Sequence, residues 1–297
     1  RDGSSRFGKN NKWGTFPSVA LAWRANEESF LRNVSWIDNL KLRLSYGIVG
    51  NQNGIGNYTT LGLTDQERYE FGDNSYMGYL PGKELSNPNL KWEQSRTANI
   101  GLDFGFFNNR LSGTIEYYNT RTTDLIVKRE INSVLGYEQM LDNLGETKSH
   151  GIDISINGDV FRTKNFTWSL GANFSQYANE IVKIDNQVDE NGKPLSQPGN
   201  SWFVGKPIHV YYDYLPDGIY QYEDFDIKRN AYGKLEYTLK PTIDTDGDGI
   251  ADKALTREDN VVPGSVKIKD VNGDGKINAD DRTPISRDPD FTLSLNT

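Results

Sequence analysis

The sequence predicts an all-β fold, namely part of a large antiparallel transmembrane β-barrel with long extracellular loops. Three observations lead to this prediction: apolar and polar residues alternate in many segments, the composition favours strands and turns, and the connections between segments alternate in length. Of the 297 residues, 12% are aromatic and 29 are glycine. This content suits strands and turns better than helices.

The clearest predicted strand is the stretch 39–52. Alternate side chains of an extended strand point to opposite faces, and here the two sets differ in polarity. One face carries Leu40, Leu42, Leu44 and Tyr46, and the other carries Lys41, Arg43, Ser45 and Gly47. Such a strand fits a sheet that lies between hydrocarbon and water. It also fits a soluble β-sandwich, whose apolar face forms its own core.

The other segments and their connections favour the barrel. The predicted strands cover about 14–24, 39–52, 99–106, 110–127, 152–157 and 166–175, and a further strand begins at Phe291. The connections at 25–38, 107–110 and 159–165 are short, whereas those at 53–90, 128–145 and 178–289 are long. All the long connections therefore emerge from one end of the sheet. Bacterial barrels have this arrangement, with short periplasmic turns and long outer loops, and a sandwich has no reason for it.

The barrel prediction assigns a place to each part of the chain. Residues 1–177 form barrel strands, 178–289 form one long extracellular loop, and 290–297 begin the next barrel strand. We expect the lipid-facing side chains to include Leu42, Leu44, Leu102, Ile154 and Leu170, and the lumen-facing side chains to include Arg43, Asp103, Asp153 and Asn173. Aromatic residues near strand ends are expected to form girdles at the two membrane interfaces: Trp13, Trp92, Phe106 and Tyr117.

Charge and cysteine content limit the functions open to the chain. The net charge is −8 and there is no cysteine. A negative balance without a basic cluster argues against nucleic-acid binding, and the lack of cysteine excludes a disulfide framework and thiolate metal sites. No apolar run approaches the ~20 residues of a membrane helix. Because the chain opens without a signal peptide and ends within an alternating run, we expect an interior fragment of a longer protein.

Five phrases, in order, span almost the whole chain: Lys12–Arg24, Leu40–Tyr58, Asn87–Ile126, Gly205–Gln221 and Pro263–Arg282. Together they resemble the barrel of the SusC/RagA family of TonB-linked outer-membrane nutrient transporters of Bacteroidetes. The resemblance implies a barrel of about 22 strands with a plugged lumen, of which about seven are present here. It also implies a SusD-like surface lipoprotein as a lid, TonB contact through an N-terminal region that the chain lacks, and an oligosaccharide or peptide as substrate.

One segment of the predicted outer loop has the spacing of a calcium site. Positions 1, 3, 5, 7, 9 and 12 of an EF-hand-type loop are occupied by Asp270, Asn272, Asp274, Lys276, Asn278 and Asp281, with Gly275 at position 6. Hard oxygen ligands at every second residue suit Ca²⁺, and Lys276 contributes its backbone carbonyl. The alternative is a turn closed by Asp and Asn side-chain hydrogen bonds without a metal. We expect a structural Ca²⁺.

A second acidic run is a weaker candidate. Positions 1, 3, 5 and 9 are occupied by Asp244, Asp246, Asp248 and Asp252, but position 12 is Leu255. Three carboxylates within five residues repel one another unless a cation or solvent screens them. Both a second, weaker calcium site and a solvated acidic loop fit this pattern.

Aromatic residues cluster in the same predicted loop. They are Trp202, Phe203, Tyr211, Tyr212, Tyr214 and Tyr220, and they suit contact with a sugar ring or with a lid protein. The alternative is that they anchor the loop to the barrel rim. No nucleophile with a base, phosphate loop or paired cysteine appears, so we do not expect an enzyme.

Two functions from different classes follow. The first is TonB-dependent uptake of a nutrient across the outer membrane of a Gram-negative bacterium, together with a SusD-like lipoprotein. The second is a soluble, calcium-stabilised extracellular β-domain that binds glycan. An outward face of large apolar side chains aggregates without detergent, which distinguishes the two.

Overall fold

A computed structural model of the chain describes residues 1–242, 254–257 and 261–297. The chain forms two compact units, the first made of Arg1–Ile208 with Asp288–Thr297 and the second of His209–Arg287. Apart from strands, the described residues contain short 3-10 turns and no α-helix: Ala25–Glu27, Ser133–Leu135, Pro198–Asn200, Tyr222–Asp224 and Ala279–Asp281. No helix in this part of the chain has the length and apolar character needed to cross a membrane.

The strands are numbered in chain order. In the first unit they are β1 (Asp2–Gly3), β2 (Trp13–Gly14), β3 (Ser18–Arg24), β4 (Ile37–Asn51), β5 (Thr64–Phe71), β6 (Asn74–Pro81), β7 (Glu84–Leu85), β8 (Glu93–Phe106), β9 (Leu111–Glu130), β10 (Gln139–Arg162) and β11 (Thr167–Lys183), with β20 (Thr292–Asn296) at the end of the chain. In the second unit they are β12 (Val210–Tyr214), β13 (Pro216–Ile219), β14 (Phe225–Arg229), β15 (Leu235–Leu239), β16 (Thr256–Arg257), β17 (Val266–Ile268), β18 (Lys276–Ile277) and β19 (Arg282–Ser286).

One large sheet dominates the first unit. Its strand order is β3-β4-β8-β9-β10-β11-β20, and every neighbouring pair on this path is antiparallel. The short strand β7 pairs in parallel with one end of β10. The sheet confirms the all-β prediction, and its neighbours follow the chain order of the predicted barrel strands.

Two strands are longer than the sequence predicts. Strand β9 has 20 residues and β10 has 24, so most of the predicted loop 128–145 is strand and only 131–138 connects the two. Alternation is lost there because polar residues lie on both faces, Arg129 and Asp142 on one and Lys128 on the other. The backbone pairing nevertheless continues. Strand β11 likewise runs to Lys183, six residues beyond residue 177, where the predicted barrel segment ends.

The predicted loop 53–90 contains a hairpin of its own. Strands β5 and β6 pair over eight residues each, and the rings of Tyr69 and Tyr76 stack with centroids 5.7 Å apart. Almost every residue of this hairpin is exposed. The sequence does not predict these two strands, because charged and aromatic residues are mixed on both faces of 64–81.

A small hydrophobic core lies beside the long connection between β4 and β8. It consists of Phe7, Ile55, Leu90, Trp92 and Leu141. The predicted girdle position of Trp92 is therefore wrong: the ring is 7% exposed and lies 5.0 Å from the ring of Phe7, centroid to centroid. At the short-turn end of the sheet, by contrast, Phe106 is half-buried and its ring lies 5.4 Å from that of Trp36, in a group that includes Phe107.

The second unit is built from short ladders. The antiparallel pairs are β12 with β19, β13 with β17 and β14 with β15, and β16 pairs in parallel with β18. Its buried apolar residues are Val210, Tyr220, Phe225 and Ile277. These ladders lie within the stretch that the sequence assigned to one long loop.

Candidate functional site

The large sheet has one continuous apolar face. Residues directly opposite one another on paired strands share a face, and the central row of such residues is apolar across all seven strands: Trp23, Leu42, Leu102, Ile115, Ile154, Phe174 and Leu293. None of the seven side chains is buried. Some are half-buried, and the exposure of the others ranges from 37% at Ile115 to 57% at Leu293. No second layer therefore covers this face in the described residues.

The neighbouring row on the opposite face is polar or small. It consists of Ala22, Arg43, Gly101, Glu116, Asp153, Ser175 and Thr292. The register thus confirms that Leu42, Leu102 and Ile154 share one face, and Leu44 and Leu170 extend it by the period of two. It also places Asp103 and Asn173 on the face of Arg43 and Asp153, as predicted.

An ion-pair network lies on this polar face and joins three strands. The Arg43 guanidinium on β4 donates to both carboxylate oxygens of Asp103 on β8, with Nε–Oδ1 and Nε–Oδ2 distances of 3.1 and 3.0 Å and an Nη2–Oδ1 distance of 2.8 Å. Arg43 Nη2 also donates to Oε1 of Glu116 on β9. Lys41 Nζ lies 3.3 Å from Asp103 Oδ2. The network fixes charged side chains in one geometry and leaves the polar face close to neutral at this point.

The predicted calcium loop is held by its own backbone amides. Asp270 accepts hydrogen bonds from Gly273 N–H at 2.7 Å and Gly275 N–H at 2.8 Å. Asn272 accepts from Asp274 N–H and Asp274 accepts from Lys276 N–H. Gly273 and Gly275 have φ of 75° and 77°, which favours glycine. These contacts form the Asx-type turns named above as the alternative.

Asp281 closes this loop. Its side chain is fully buried, Oδ1 accepts from Val271 N–H and Oδ2 from Asn278 N–H, both at 2.9 Å. Burial alone raises the pKa of this carboxyl, but the amide hydrogen bonds from Asn278 and Val271 outweigh it and hold the pKa below its usual range. Asn278 accepts from Asp280 N–H at 2.7 Å.

The loop has the ligand types that suit Ca²⁺, but its side-chain oxygens do not point towards one common position. Within the described ranges, no three His, Cys, Asp or Glu side chains come together in a way that holds a metal ion. Each carboxylate oxygen has lone pairs beyond those used by the amides. The donor set therefore fits the ion only after Asp270, Asp274 and Asp281 turn towards a common point. The second acidic run, Asp244, Asp246, Asp248 and Asp252, lies outside the described residues.

The predicted aromatic contacts divide between the two units. In the second unit the Tyr211 ring is 57% exposed on one side, with the Arg287 guanidinium 4.6 Å from its centroid. The Arg282 guanidinium lies 5.1 Å from the Tyr214 ring. Tyr220 is only 5% exposed and lies against Phe225, which leaves little of its ring for a partner. Tyr212 forms an interaction within the described structure.

In the first unit, Trp202 borders a pocket, lined by both polar and apolar side chains, that the sequence did not reveal. Its lining includes Arg129, Asp185, Gln187 and Gln197. Asp185 is buried and accepts from Gln187 N–H at 2.8 Å and Gln197 Nε2 at 2.9 Å. An aromatic ring beside hydrogen-bonding side chains is a common ligand-binding arrangement. Phe203, the neighbouring predicted contact, has an interaction within the described structure.

A family model for the TonB-dependent receptor-like β-barrel matches residues 1–293. The chain belongs to this family. Its β-barrels are outer-membrane proteins of Gram-negative bacteria. The match agrees with the sheet described above, in which long antiparallel strands separate an exposed apolar face from a polar one.

Individual members of the TonB-dependent receptor family show the same relationship. TonB-dependent receptor SusC of Bacteroides thetaiotaomicron is 38% identical over 253 residues, which are 79% of this chain and 25% of the relative. TonB-dependent receptor P3 of Formosa agariphila is 34% identical over 302 residues, covering 100% of this chain and 28% of the relative. A solved structure of the RagAB peptide transporter superposes with a TM-score of 0.69 at 26% identity, covering 99% of this chain and 28% of that chain.

The chain thus spans about a quarter of the length of these TonB-dependent receptors. Its resemblance to the SusC/RagA group, expected from the sequence, is confirmed. Two features of the barrel wall were missed by sequence reasoning: the Arg43 network and the pocket beside Trp202. The alternation of Arg43 and Asp103 with leucines showed that both lie on the polar face, but no sequence signal showed that they meet.

Proposed function

We propose that the chain forms part of the wall of an outer-membrane receptor that takes up a nutrient by a TonB-dependent mechanism. The observation that carries the proposal is the apolar face of the large sheet, which is continuous over seven strands and lacks a covering layer in the described residues. Exposed apolar surfaces of this extent mark a membrane or protein contact. The family match favours the membrane.

In this proposal the two faces of the sheet have different surroundings. Leu42, Leu44, Leu102, Ile154 and Leu170 face lipid, and Arg43, Asp103, Asp153 and Asn173 face the lumen. Barrel strands alternate in this way because only the lumen side meets water or other polar groups. The Arg43 network suits the lumen, where charged groups satisfy one another.

Partners and substrate belong to the same proposal. We infer that a SusD-like surface lipoprotein covers the long-loop side, that TonB acts through a part of the receptor outside these 297 residues, and that the substrate is an oligosaccharide or a peptide. Similarity to SusC and to the RagAB peptide transporter supports this inference. Tyr211 is the contact candidate best supported by its exposure, and Trp202 is supported by its place beside a pocket.

Reconstitution tests the membrane assignment. The full-length receptor, purified in a neutral detergent, should enter phosphatidylcholine vesicles and remain with them after a urea wash. Removal of detergent without vesicles should aggregate it, because the apolar face then meets water. Flotation in a density gradient measures the first result and light scattering the second. A monodisperse protein that stays out of the vesicles would instead support the soluble glycan-binding domain.

We also propose that the loop 270–281 binds one structural Ca²⁺. The ligands are side-chain oxygens of Asp270, Asn272, Asp274 and Asp281, the backbone carbonyl of Lys276, and Asn278 directly or through water. Support comes from the spacing of these residues and from the turns that already order the loop, in which Asp270, Asn272 and Asp274 accept from its backbone amides. The ion would neutralise two of the three carboxylate charges and so offset part of the entropy cost of ordering the loop.

Removal of calcium should loosen this loop while the barrel stays folded. Hydrogen exchange across 265–285 should rise when a calcium chelator is added to the full-length receptor, and exchange in the hairpin β14–β15 provides the internal reference.

Asp274→Asn should weaken calcium binding by roughly tenfold, because it removes a ligand charge and keeps the side-chain oxygen that accepts from Lys276 N–H. Asp280→Asn, in the same loop but outside the ligand positions, should bind like the wild type. Identical exchange with and without chelator would show that the loop is a metal-free turn.

A further inference from the structure

Three basic residues form a cross-strand row on the apolar face of the sheet, near its long-loop end. Arg96 on β8 lies opposite Arg121 on β9, and Arg121 lies opposite Lys148 on β10. Neighbouring strands are about 4.8 Å apart, so three cations occupy a span of roughly 10 Å. The period of two puts them on the face of Ile100, Tyr117 and Ile152.

Like charges directly opposite one another destabilise a sheet, so the row needs compensation. Arg121 donates to Glu146 at 2.6 Å through Nε, and Lys148 Nζ lies 2.7 Å from Glu180 Oε1. The hydrogen bonds described for Arg96 go to neutral groups, Thr123 Oγ1 at 3.2 Å and Gln94 Oε1 at 2.9 Å. Three cations thus share two carboxylates, and Lys183, opposite Glu146 in the register, adds a fourth positive charge nearby.

The position of the row matches the edge of a hydrocarbon core. Ten residues separate Phe106, at the short-turn end of the same face, from Arg96, which is about 33 Å along an extended strand. With the ~45° tilt of barrel strands, the basic row and the short-turn end lie about 23 Å apart along the membrane normal. The outward apolar band of an outer-membrane barrel is about 25 Å tall. The row therefore meets the headgroup layer rather than the acyl chains.

We propose that Arg96, Arg121 and Lys148 form a binding site for the phosphate group of an anionic lipid in the leaflet on the long-loop side. The inference rests on the proposed membrane function and adds a ligand to it. A phosphate there accepts hydrogen bonds from the Arg96 and Arg121 guanidinium groups, which suit planar, bidentate contact. The lipid's acyl chains then pass the row of Ala98, Asn119 and His150 and lie along the apolar face, whose nearest fully apolar row on these three strands is Ile100, Tyr117 and Ile152. A lipid contacts both the basic row and the apolar face, whereas free phosphate contacts only the basic row.

Native mass spectrometry of the full-length receptor in neutral detergent tests the site with dioleoyl phosphatidic acid and dioleoylglycerol, two lipids that differ only in the phosphate. The wild type should retain phosphatidic acid at least about tenfold better than dioleoylglycerol. Arg96→Gln should lower this preference by roughly fivefold without leaving a carboxylate unpaired, and Arg96→Gln with Arg121→Gln should nearly abolish it. Arg96→Lys keeps the charge and should retain most of it. The matched control, Arg110→Gln with Arg162→Gln at the short-turn end, should bind like the wild type.

Equal retention of the two lipids, or an unchanged preference in the Arg96 and Arg121 variants, would overturn the proposal. Complete displacement of phosphatidic acid by inorganic phosphate would show a free-anion site and would overturn the lipid assignment. The retained mobility shift of the unheated barrel in gel electrophoresis confirms that each variant is folded. Vesicle insertion, measured on the same preparations, reports on the membrane function separately, since a receptor that inserts but shows no phosphate preference contradicts only this inference.

Discussion

Leu42→Arg is expected to lower the free energy of unfolding of the membrane-inserted receptor by roughly 2–4 kcal/mol. Leu42 lies in the central apolar row, between Trp23 and Leu102. An arginine there faces hydrocarbon near the bilayer midplane, where its charge is poorly solvated. Urea unfolding of the full-length receptor in phosphatidylcholine vesicles, followed by tryptophan fluorescence, measures the change.

Leu111→Arg is the matched control for depth. Leu111 lies on the same face at the short-turn end of the sheet, opposite Phe106. Arginine there reaches the headgroup region, so the same substitution should cost only about 0–1 kcal/mol. Equal costs at the two positions would contradict the assignment of this face to lipid, and so would a fold in which Leu42 is packed against another protein layer.

Arg43→Met is expected to lower the free energy of unfolding by about 1–3 kcal/mol. The substitution removes the hydrogen bonds to Asp103 and Glu116, and among the described residues it leaves Lys41 as the one cation paired with Asp103. Arg43 and Glu116 are each 32% exposed and Asp103 is 17% exposed. Water therefore screens part of the interaction, and the cost stays below that of breaking a fully buried pair.

A double-mutant cycle isolates this network. Arg43→Met combined with Glu116→Gln should be less destabilised than the sum of the two single variants, because the second change removes one of the unpaired charges. Arg24→Met is the control, because Arg24 pairs with Glu27 and both side chains are 60% exposed. Removing this exposed ion pair should lower the free energy of unfolding by less than about 1 kcal/mol. Strict additivity of the Arg43 and Glu116 effects in the same unfolding assay would show that the pair contributes nothing.

The strands and their faces follow from the sequence because alternation has an immediate physical cause. Leu42, Leu44 and Leu102 are separated from Arg43 and Asp103 by the pleat alone, so a period of two assigns each residue to a face. Five ordered phrases were enough to predict the family. The same signal fails in 128–145, where β9 and β10 continue with polar residues on both faces and only the backbone pairing defines the strand.

Trp92 shows a second kind of failure. Its place near a strand end predicts a girdle residue, yet it is buried against the ring of Phe7. Tyr220, whose contact with a substrate or lid stays a prediction, is likewise buried, against Phe225. A large aromatic side chain is compatible with an interface, a binding surface or a core. Which of these it occupies depends on segments that are distant in the sequence, as with Phe7 and Trp92.

The sequence by itself determined the strand periodicity, the two faces of the sheet, the family and the ligand types of the loop 270–281. Only the tertiary structure decided which residues meet across strands. A slip of one residue in pairing moves every side chain to the wrong face, so the apolar pattern forbids it. A slip of two residues preserves both faces, and the pattern does not detect it. The register alone therefore brings Arg43 to Asp103 and Glu116, and aligns Arg96, Arg121 and Lys148 in one row.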